Sequence, residues 1–365
     1  MIITVLFVLV ILSSLIAMGE PAHCDLKQNI YDAIDSHADN VPASALRSIE
    51  SLTIYLVKPA KNDTEKVRAI YRWLTRNIEY DTHEYFSSQR KRLYADPAEN
   101  TFRTRKSVCE GYARLFKRMC DIAGLKAEIV SGWAKGFYYQ QDGIMPYQSN
   151  HAWNAVLLNG RWHFIDSTWG AGHINGETKR FVREFDDHWF LTTPQQLIFT
   201  HYPEEQKWQL LDQVISLKEW KSLANFNSNY FKYGFDPEEN KTAWIKASSS
   251  MVIKFNVPLN VVVASSLSIL KGHELDKNYT LQQRRGNIIY VMISFPEKGT
   301  YELKLYAKYR EHEEIYKQIT SYKIEVEQGN NYQALVKTYN HYDMAEVEIL
   351  DKSPIYANLN SGYRY

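Results

Sequence analysis

The sequence has few cysteines, no excess of charge of either sign, and no internal repeat or low-complexity tract. Three cysteines among 365 residues exclude the multiple-disulfide framework of small secreted domains. Because 43 basic side chains are balanced by 42 acidic ones, no net field attracts nucleic acid or an anionic membrane surface. We also find no dense acidic loop of the kind that binds calcium. The sequence therefore predicts neither a nucleic-acid partner nor a metal ion or other cofactor.

What remains is the composition of a globular protein. Hydrophobic residues make up 45% of the chain and charged residues 23%, which excludes a disordered chain. A length of 365 residues is large for one core and predicts two or three domains. Aromatic residues reach 14%, with 26 tyrosines. This content favours β-sheet packing, and a sugar- or peptide-binding surface is the alternative.

An almost unbroken apolar run, Ile2 to Met18, opens the sequence and is followed by Gly19-Glu20-Pro21-Ala22. This pattern is typical of a secretory signal. No Lys or Arg precedes the run, so an uncleaved membrane anchor is the alternative. We expect residues 1–22 to be a signal peptide or anchor and the protein to be secreted or extracytoplasmic. Any membrane attachment would then involve only this segment.

Cys109 is the first candidate functional residue, because it lies where a helix is predicted to begin. Ser107 and Glu110 have the spacing of a capping box, and Gly124 supplies a stop for the helix. The residues between them form one apolar face at steps of three and four: Tyr112, Leu115, Phe116, Met119, Cys120 and Ala123. The positive end of a helix dipole favours a thiolate over a thiol.

Two other roles for Cys109 are a small buried apolar residue and half of a disulfide. Cys120 lies on the same predicted helix about 16 Å away, too far for a bridge. Cys24 could pair with either of them, so at least one of the three thiols has no partner within the chain.

A second helix is predicted upstream of Cys109. Asn62 and Glu65 form a capping pair at its start, and its apolar positions are Val67, Ile70, Tyr71, Leu74 and Ile78. Residues 82–106 carry many charges and no periodicity, which predicts a connecting loop.

Asn159-Gly160 predicts a two-residue β-hairpin turn between the runs 151–158 and 161–166. In that register Leu158 opposes Arg161, so Trp153 opposes Asp166. His151 shares the face of Trp153, which makes His151 and Asp166 diagonal neighbours about 7 Å apart along the backbone. A one-residue bulge would move Asp166 to the other face.

These residues fit a catalytic triad. Cys109 would be the nucleophile, His151 the group that takes and returns its proton, and Asp166 the carboxylate that orients the imidazole. The rival histidines are His163, which the same register puts on the opposite face, and His173 in a glycine-rich loop.

The motifs around this triad resemble the transglutaminase-like superfamily, whose catalytic core is a papain-like cysteine fold. The matching runs are Cys109-Glu110-Gly111-Tyr112-Ala113, Asn150-His151-Ala152-Trp153-Asn154 and Asp166-Ser167-Thr168-Trp169, preceded by Ile70-Tyr71-Arg72-Trp73-Leu74 and Ile78-Glu79-Tyr80-Asp81. Later runs are similar to the kyphoscoliosis peptidase and hillarin branch: Trp189-Phe190-Leu191-Thr192-Thr193-Pro194, His201-Tyr202-Pro203, Trp208-Gln209-Leu210-Leu211 and Phe295-Pro296-Glu297-Lys298-Gly299-Thr300-Tyr301.

The resemblance implies acyl transfer on protein or peptide amides through a thioester at Cys109. Water as the acceptor makes a peptidase or amidase, and an amine makes a crosslinking transglutaminase. A catalytically silent protein-binding scaffold is the alternative from another class. The backbone N–H of Cys109 is the natural oxyanion donor. Trp73 is a candidate for a second donor, and Trp153 and Trp169 are expected to line the cleft or core.

The fold class implied is α+β, with a papain-like transglutaminase core followed by an immunoglobulin-like β-sandwich. We expect a helical lead-in over residues 25–60 and a transglutaminase-like catalytic domain with a C-terminal extension over 61–235. A β-sandwich over 245–345 and a tail over 346–365 follow. Alternating runs at 252–257, 287–294, 301–306 and 322–326 indicate the sandwich strands.

Overall fold

The structure is a computed structural model that describes residues 23–87, 95–140, 143, 146–270, 272–275, 279–311, 313–329, 348–349 and 362–363. The predicted signal peptide or anchor, residues 1–22, lies outside the described residues, as does most of the predicted tail. Within the described ranges, no helix combines the length and the apolar character that crossing a bilayer requires.

The helices of the described chain lie mainly in its first half. Their bounds are α1 His23–Asp39, α2 Ile49–Val57, α3 Asp63–Asn77, α4 Thr82–Phe86, α5 Pro97–Thr104, α6 Cys109–Ile122, α7 Ser167–Ala171, α8 Pro194–Leu197, α9 Leu217–Ser222 and α10 Ser228–Lys232. Short 3-10 helices cover Ala43–Arg47, Asp187–Trp189 and Gln206–Gln209.

Helix α3 contributes buried side chains to the core of the N-terminal part of the chain, and it packs against α1, α6 and α7. Its start is the predicted one, because Asn62 Oδ1 accepts the backbone N–H of Glu65 at 2.9 Å. The buried Arg68 on this helix forms an ion pair with Asp35 of α1 at 2.7 Å and a second one with Asp187. A buried charge needs such partners. The contact with Asp35 joins α3 to α1, and the contact with Asp187 joins α3 to the 3-10 helix Asp187–Trp189.

A five-stranded antiparallel sheet packs beside these helices, in the order β8-β5-β4-β3-β9. Its strands are β3 Ala127–Ala134, β4 His151–Leu158, β5 Arg161–Ile165, β8 Phe190–Thr192 and β9 His201–Pro203. Helix α6 lies against β3 and β4. The described residues also form two smaller sheets. In one, β1 Glu79–Tyr80 pairs with β2 Lys106–Ser107, and in the other, β6 Gly172–Asn175 lies between β7 Phe181–Arg183 and β18 Gly362–Tyr363.

The C-terminal part is built of two four-stranded sheets, in the orders β10-β16-β15-β12 and β11-β14-β13-β17. Their strands are β10 Trp244–Ala247, β11 Ser250–Asn256, β12 Val261–Ile269, β13 Thr280–Arg285, β14 Ile288–Ser294, β15 Gly299–Tyr309, β16 Lys317–Val326 and β17 Glu348–Ile349. Alternating side chains of both sheets share one buried core, among them Phe255, Val263, Ile289 and Leu305. Helices and sheets together confirm the α+β class.

Two local predictions are wrong. Val108, and not Ser107, is the N-cap of α6, and its side chain makes no capping hydrogen bond. Ser107 belongs to β2 and lies against Gly111, where an added Cβ would meet its Oγ at 2.0 Å. Packing across that glycine takes the place of capping.

The described residues of the range 82–106, which are 82–87 and 95–106, are also more regular than the predicted loop, since they contain α4 and α5. The first of these helices is capped by Asp81 and the second by Asp96, and Pro97 opens the second. Both helices are too short to show an apolar period, so only their capping residues could have predicted them.

Candidate active site

Cys109 is the first residue of α6, at the predicted start of that helix, although the capping box from which this start was predicted does not form. The short strand β2 leads into it, and the residue is 5% exposed. Neither Cys109 nor Cys120 forms a disulfide with a described residue. Cys120 lies at 0% exposure in the core, where burial raises the pKa of its thiol far above the usual range. The two thiols of one helix therefore have very different surroundings.

The hairpin between β4 and β5 has the register that Asn159-Gly160 predicted. Asn159 and Gly160 have φ values of 50° and 76°, and the strands pair from Leu158↔Arg161 to Asn154↔Ile165. The strand ends there, and Asp166 becomes the N-cap of α7. Its Oδ1 accepts the backbone N–H groups of Thr168 and Trp169 at 2.9 and 3.0 Å.

This arrangement joins His151 to Asp166. His151 Nε2 lies 2.8 Å from Asp166 Oδ2, and both side chains are 1% exposed. Since an ionised carboxylate can only accept, the imidazole donates Nε2–H. The other ring nitrogen, Nδ1, is therefore the one that can serve the thiol.

Charge and burial act against each other at His151. Burial disfavours the imidazolium, but the Asp166 carboxylate, followed by the nearby Cys109, outweighs it and raises the pKa of His151 to about 10. Cys109 is thus close enough to act on the imidazole, although Nδ1 makes no hydrogen bond of ordinary geometry. An imidazolium held beside a thiol favours the thiolate form.

The structure adds a residue that the sequence did not predict as part of the site. His201, from β9, brings Nε2 to 3.1 Å from the same Oδ2 of Asp166. Its Nδ1 lies 2.8 Å from Thr200 Oγ1. In the sequence, the run His201-Tyr202-Pro203 carries a family resemblance and indicates no role for the imidazole. Its position beside Asp166 depends on the pairing of β9 with β3, which no local pattern predicts.

The Asp166 carboxylate is strongly stabilised as an anion. Burial alone would raise its pKa, but His151 and then His201 lower it well below the usual range through charge and hydrogen bonds. The pKa of His201 is in turn lowered to about 4, mainly by burial and also by the charge of His151, against the opposing effect of Asp166.

The three candidate tryptophans fall into two groups. Trp153 stacks on His151 with ring centroids 6.0 Å apart, and Trp169 lies 5.6 Å from the same ring. Trp73 is buried against Phe102, with the Arg105 guanidinium over its ring. Among the described contacts, Trp153 and Trp169 therefore pack on the imidazole of His151, and Trp73 packs in the neighbouring core.

The rival histidines lie elsewhere. His173 Nδ1 forms an ion pair with Glu184 at 3.1 Å. His163 lies within β5 opposite Val156, where burial lowers its pKa. Neither contacts Asp166 within the described part of the chain.

His151, Asp166 and His201 are also the one group of at least three possible metal ligands in the residues that the structure describes. Their ligand atoms lie within 4.8 Å of one another. Both imidazoles already direct a nitrogen at Oδ2 at hydrogen-bond distance. These two nitrogens and Oδ2 are therefore already engaged in hydrogen bonds with one another.

Comparison with known proteins agrees with this geometry. Residues 50–167 match the transglutaminase-like superfamily, and residues 217–336 match the KY-like, immunoglobulin-like domain. The predicted transglutaminase core followed by an immunoglobulin-like domain is thereby confirmed. The immunoglobulin-like match begins at residue 217 and so includes helices α9 and α10 before the first sandwich strand.

Relatives that align with most of the chain indicate the same family. Kyphoscoliosis peptidase of Mus musculus is 32% identical over 300 residues, which cover 81% of this chain and 43% of that protein. The Homo sapiens protein is 32% identical over 301 residues, covering 82% and 43%. Hillarin of Drosophila melanogaster is 28% identical over 303 residues, covering 76% and 36%. The chain thus spans less than half the length of these relatives.

Proposed function

Because the chain belongs to the kyphoscoliosis peptidase and hillarin branch of the transglutaminase-like superfamily, we propose that it is a cysteine-dependent hydrolase or acyltransferase acting on protein or peptide amides. Cys109 is the nucleophile, His151 the proton carrier and Asp166 the orienting carboxylate. The observation that carries this proposal is the 2.8 Å contact of His151 Nε2 with Asp166, which leaves Nδ1 as the nitrogen available to the thiol.

In this mechanism Cys109 Sγ attacks the carbonyl carbon of the amide while His151 holds the thiol proton. The C–N bond breaks, the imidazolium donates that proton to the leaving amine, and a thioester remains on Cys109. Water or a second amine then attacks the thioester and gives a proton to His151. The C–S bond breaks and the thiol is restored.

Charge that develops on the carbonyl oxygen needs a donor beside Cys109. The N-terminus of α6 supplies a positive dipole end there, and the backbone N–H of Cys109 is the donor that we assign to the oxyanion. Trp153 and Trp169 lie against His151 and shield the ion pair of His151 and Asp166 from water.

Hydrolysis and crosslinking share every step up to the thioester, and the acceptor decides between them. We propose hydrolysis, or else crosslinking that does not depend on calcium, because the sequence has no dense acidic loop of the kind that calcium-dependent crosslinking members use. A fluorescent primary amine that becomes attached to casein would favour crosslinking, and new N-termini without attached amine would favour hydrolysis.

A catalytically silent scaffold is the second candidate, and one observation favours it. Cys109 is only 5% exposed, so a substrate carbonyl has a narrow approach to the sulfur. Measuring the rate of iodoacetamide labelling near neutral pH separates the two candidates. The enzyme predicts stoichiometric labelling at Cys109, abolished by Cys109→Ala and slowed by His151→Ala. Labelling of Cys109 no faster than that of the buried Cys120 would support the scaffold.

Export remains part of the proposal. It rests on the apolar run from Ile2 to Met18 and the small residues that follow it. Mass spectrometry of the mature protein tests it, since removal of residues 1–22 is expected for a cleaved signal, and an intact N-terminus is expected for an anchor.

A further inference from the structure

Two imidazoles reach one oxygen of Asp166 from different strands of the same sheet. His151 lies on β4 opposite Gly132 of β3, and β3 pairs on its other edge with β9 through Ala134↔His201. Side chains two residues apart along a strand share a face, so His151 and His201 point to the same side. Their ring centroids are 5.2 Å apart.

The contacts of His201 fix its tautomer. Asp166 accepts only, so His201 donates Nε2–H to Oδ2 across 3.1 Å. Nδ1 is then the acceptor for the hydroxyl of Thr200, 2.8 Å away. The Leu197 carbonyl oxygen, 3.2 Å from the same hydroxyl, is its more distant alternative acceptor. With a pKa lowered to about 4, the ring is neutral at neutral pH. His201 therefore gives Asp166 a hydrogen bond without a second positive charge.

With His201 in place, the carboxylate of Asp166 is saturated. Oδ1 accepts two backbone N–H groups, and Oδ2 accepts the two imidazole N–H groups. A carboxylate has about four acceptor positions, so none is left for water or for a rotated arrangement. The orientation of Asp166 is thereby determined from both of its oxygens.

We propose that His201 is a positioning residue of the catalytic site, which holds Asp166 by its hydrogen bond to Oδ2 and through Asp166 fixes the imidazole of His151. The inference rests on the proposed function of Cys109 and His151. It assigns His201 no contact with substrate. Thr200 supports the same role, because its hydroxyl keeps the donating proton on Nε2.

A purely structural His201 would also be buried and hydrogen-bonded, so stability alone does not test the proposal. The informative measurement is the rate constant for alkylation of Cys109 by iodoacetamide, per folded molecule and as a function of pH. We compare His201→Phe, which keeps a ring without a donor, with His201→Gln, which keeps an N–H donor. Thr200→Val removes the tautomer support, and His163→Gln is the control on the same sheet.

We expect His201→Phe to slow alkylation of Cys109 by about tenfold or more, as loss of one hydrogen bond to a charged group implies. His201→Gln recovers most of the rate, Thr200→Val shows a smaller loss, and His163→Gln matches the wild type. Nitrogen NMR of histidine-labelled protein gives a second readout. His201 should be neutral with its proton on Nε2, and the His151 signals should shift in His201→Phe.

Unchanged alkylation in folded His201→Phe and Thr200→Val, together with unchanged His151 signals, would overturn the proposal. So would a His201 ring that carries its proton on Nδ1. If the Phe variant does not fold, the alkylation rate and the His151 signals of Thr200→Val decide. Should wild-type Cys109 react no faster than Cys120, the proposed function fails, and the NMR signals of His151 then test the positioning role by themselves.

Discussion

Asn154 donates a side-chain hydrogen bond to the backbone carbonyl of Ala113, at 3.0 Å. The first residue lies on β4, three positions after His151, and the second lies on α6, one turn after Cys109. The amide is 1% exposed and also contacts the carbonyl of Glu128 at 3.2 Å. This bond joins the strand that carries the imidazole to the helix that carries the thiol.

Replacing that amide should therefore weaken both the fold and the site. We expect Asn154→Leu to lower the free energy of unfolding by about 1–3 kcal/mol, because the buried Ala113 carbonyl and the half-buried Glu128 carbonyl each lose a hydrogen-bond donor. The folded fraction should also show slower alkylation of Cys109. Urea denaturation and iodoacetamide kinetics measure the two effects. Asn40→Ala is the control, since the hydrogen bond from the Asn40 side-chain amide to the Ser36 carbonyl is exposed. Full Cys109 reactivity in Asn154→Leu would contradict the coupling between strand and helix.

The charge of Asp166 supports the next prediction. In Asp166→Asn the amide can still occupy the site, but it has only one oxygen. If that oxygen accepts the backbone N–H groups of Thr168 and Trp169, the NH2 group faces Nε2–H of His151 and cannot accept it. If the oxygen faces His151, the NH2 group faces the two backbone donors. The imidazole then loses its partner for the charged form. We expect turnover to fall on the order of 10^3- to 10^4-fold while the fold is retained.

For that variant, circular dichroism checks the fold, and the pH profile of Cys109 alkylation checks the cause. The profile should lose its reactivity at low and neutral pH, because an imidazolium no longer stabilises the thiolate. An unchanged profile would show that Asp166 is only a helix cap.

The sequence predicted His151 and Asp166 well because a two-residue turn fixes register over the few residues between them. Asn159-Gly160 sets the pairing, and it holds as far as Asn154↔Ile165. The helix of Cys109 followed from its apolar period, although its cap did not. His201 escaped prediction because β3 and β9 are distant in sequence, and their pairing depends on tertiary packing.

The pH dependence of stability should show opposite effects of the two histidines. The pKa of His151 is about 10 in the folded protein against about 6.5 in an unfolded chain. The contribution of His151 to the free energy of unfolding is therefore complete below about pH 6.5 and is lost as the pH rises to about 10. The pKa of His201 is about 4, so the unfolded chain takes up that proton first, and stability is lost as the pH falls from about 6.5 to 4. The titratable groups facing His151 are Asp166, Cys109 and His201, and those facing His201 are Asp166 and His151.

We therefore expect the contribution of this cluster to be largest near pH 6.5. Urea midpoints measured at about pH 4.5, 6.5 and 9 test this in the wild type, His151→Gln and His201→Gln. His151→Gln should flatten the alkaline side, and His201→Gln the acidic side. Parallel curves for wild type and both variants would show that other groups control the dependence.

Gly132 carries the last prediction, because it lies between the two histidine-bearing strands. A Cβ at this position would meet the Tyr202 carbonyl oxygen at 2.2 Å and the Trp153 ring at 2.7 Å. Gly132→Ala must therefore push β9 or the indole away, and overpacking of this kind costs about 1–3 kcal/mol of unfolding free energy. The displaced strand carries His201, so Cys109 alkylation should slow as well. Gly299→Ala is the matched control, since its Cβ would have no neighbour closer than 3.7 Å. Equal stability and reactivity in the two alanine variants would mean that β9 can shift without disturbing Asp166, and that His201 does not need its observed position.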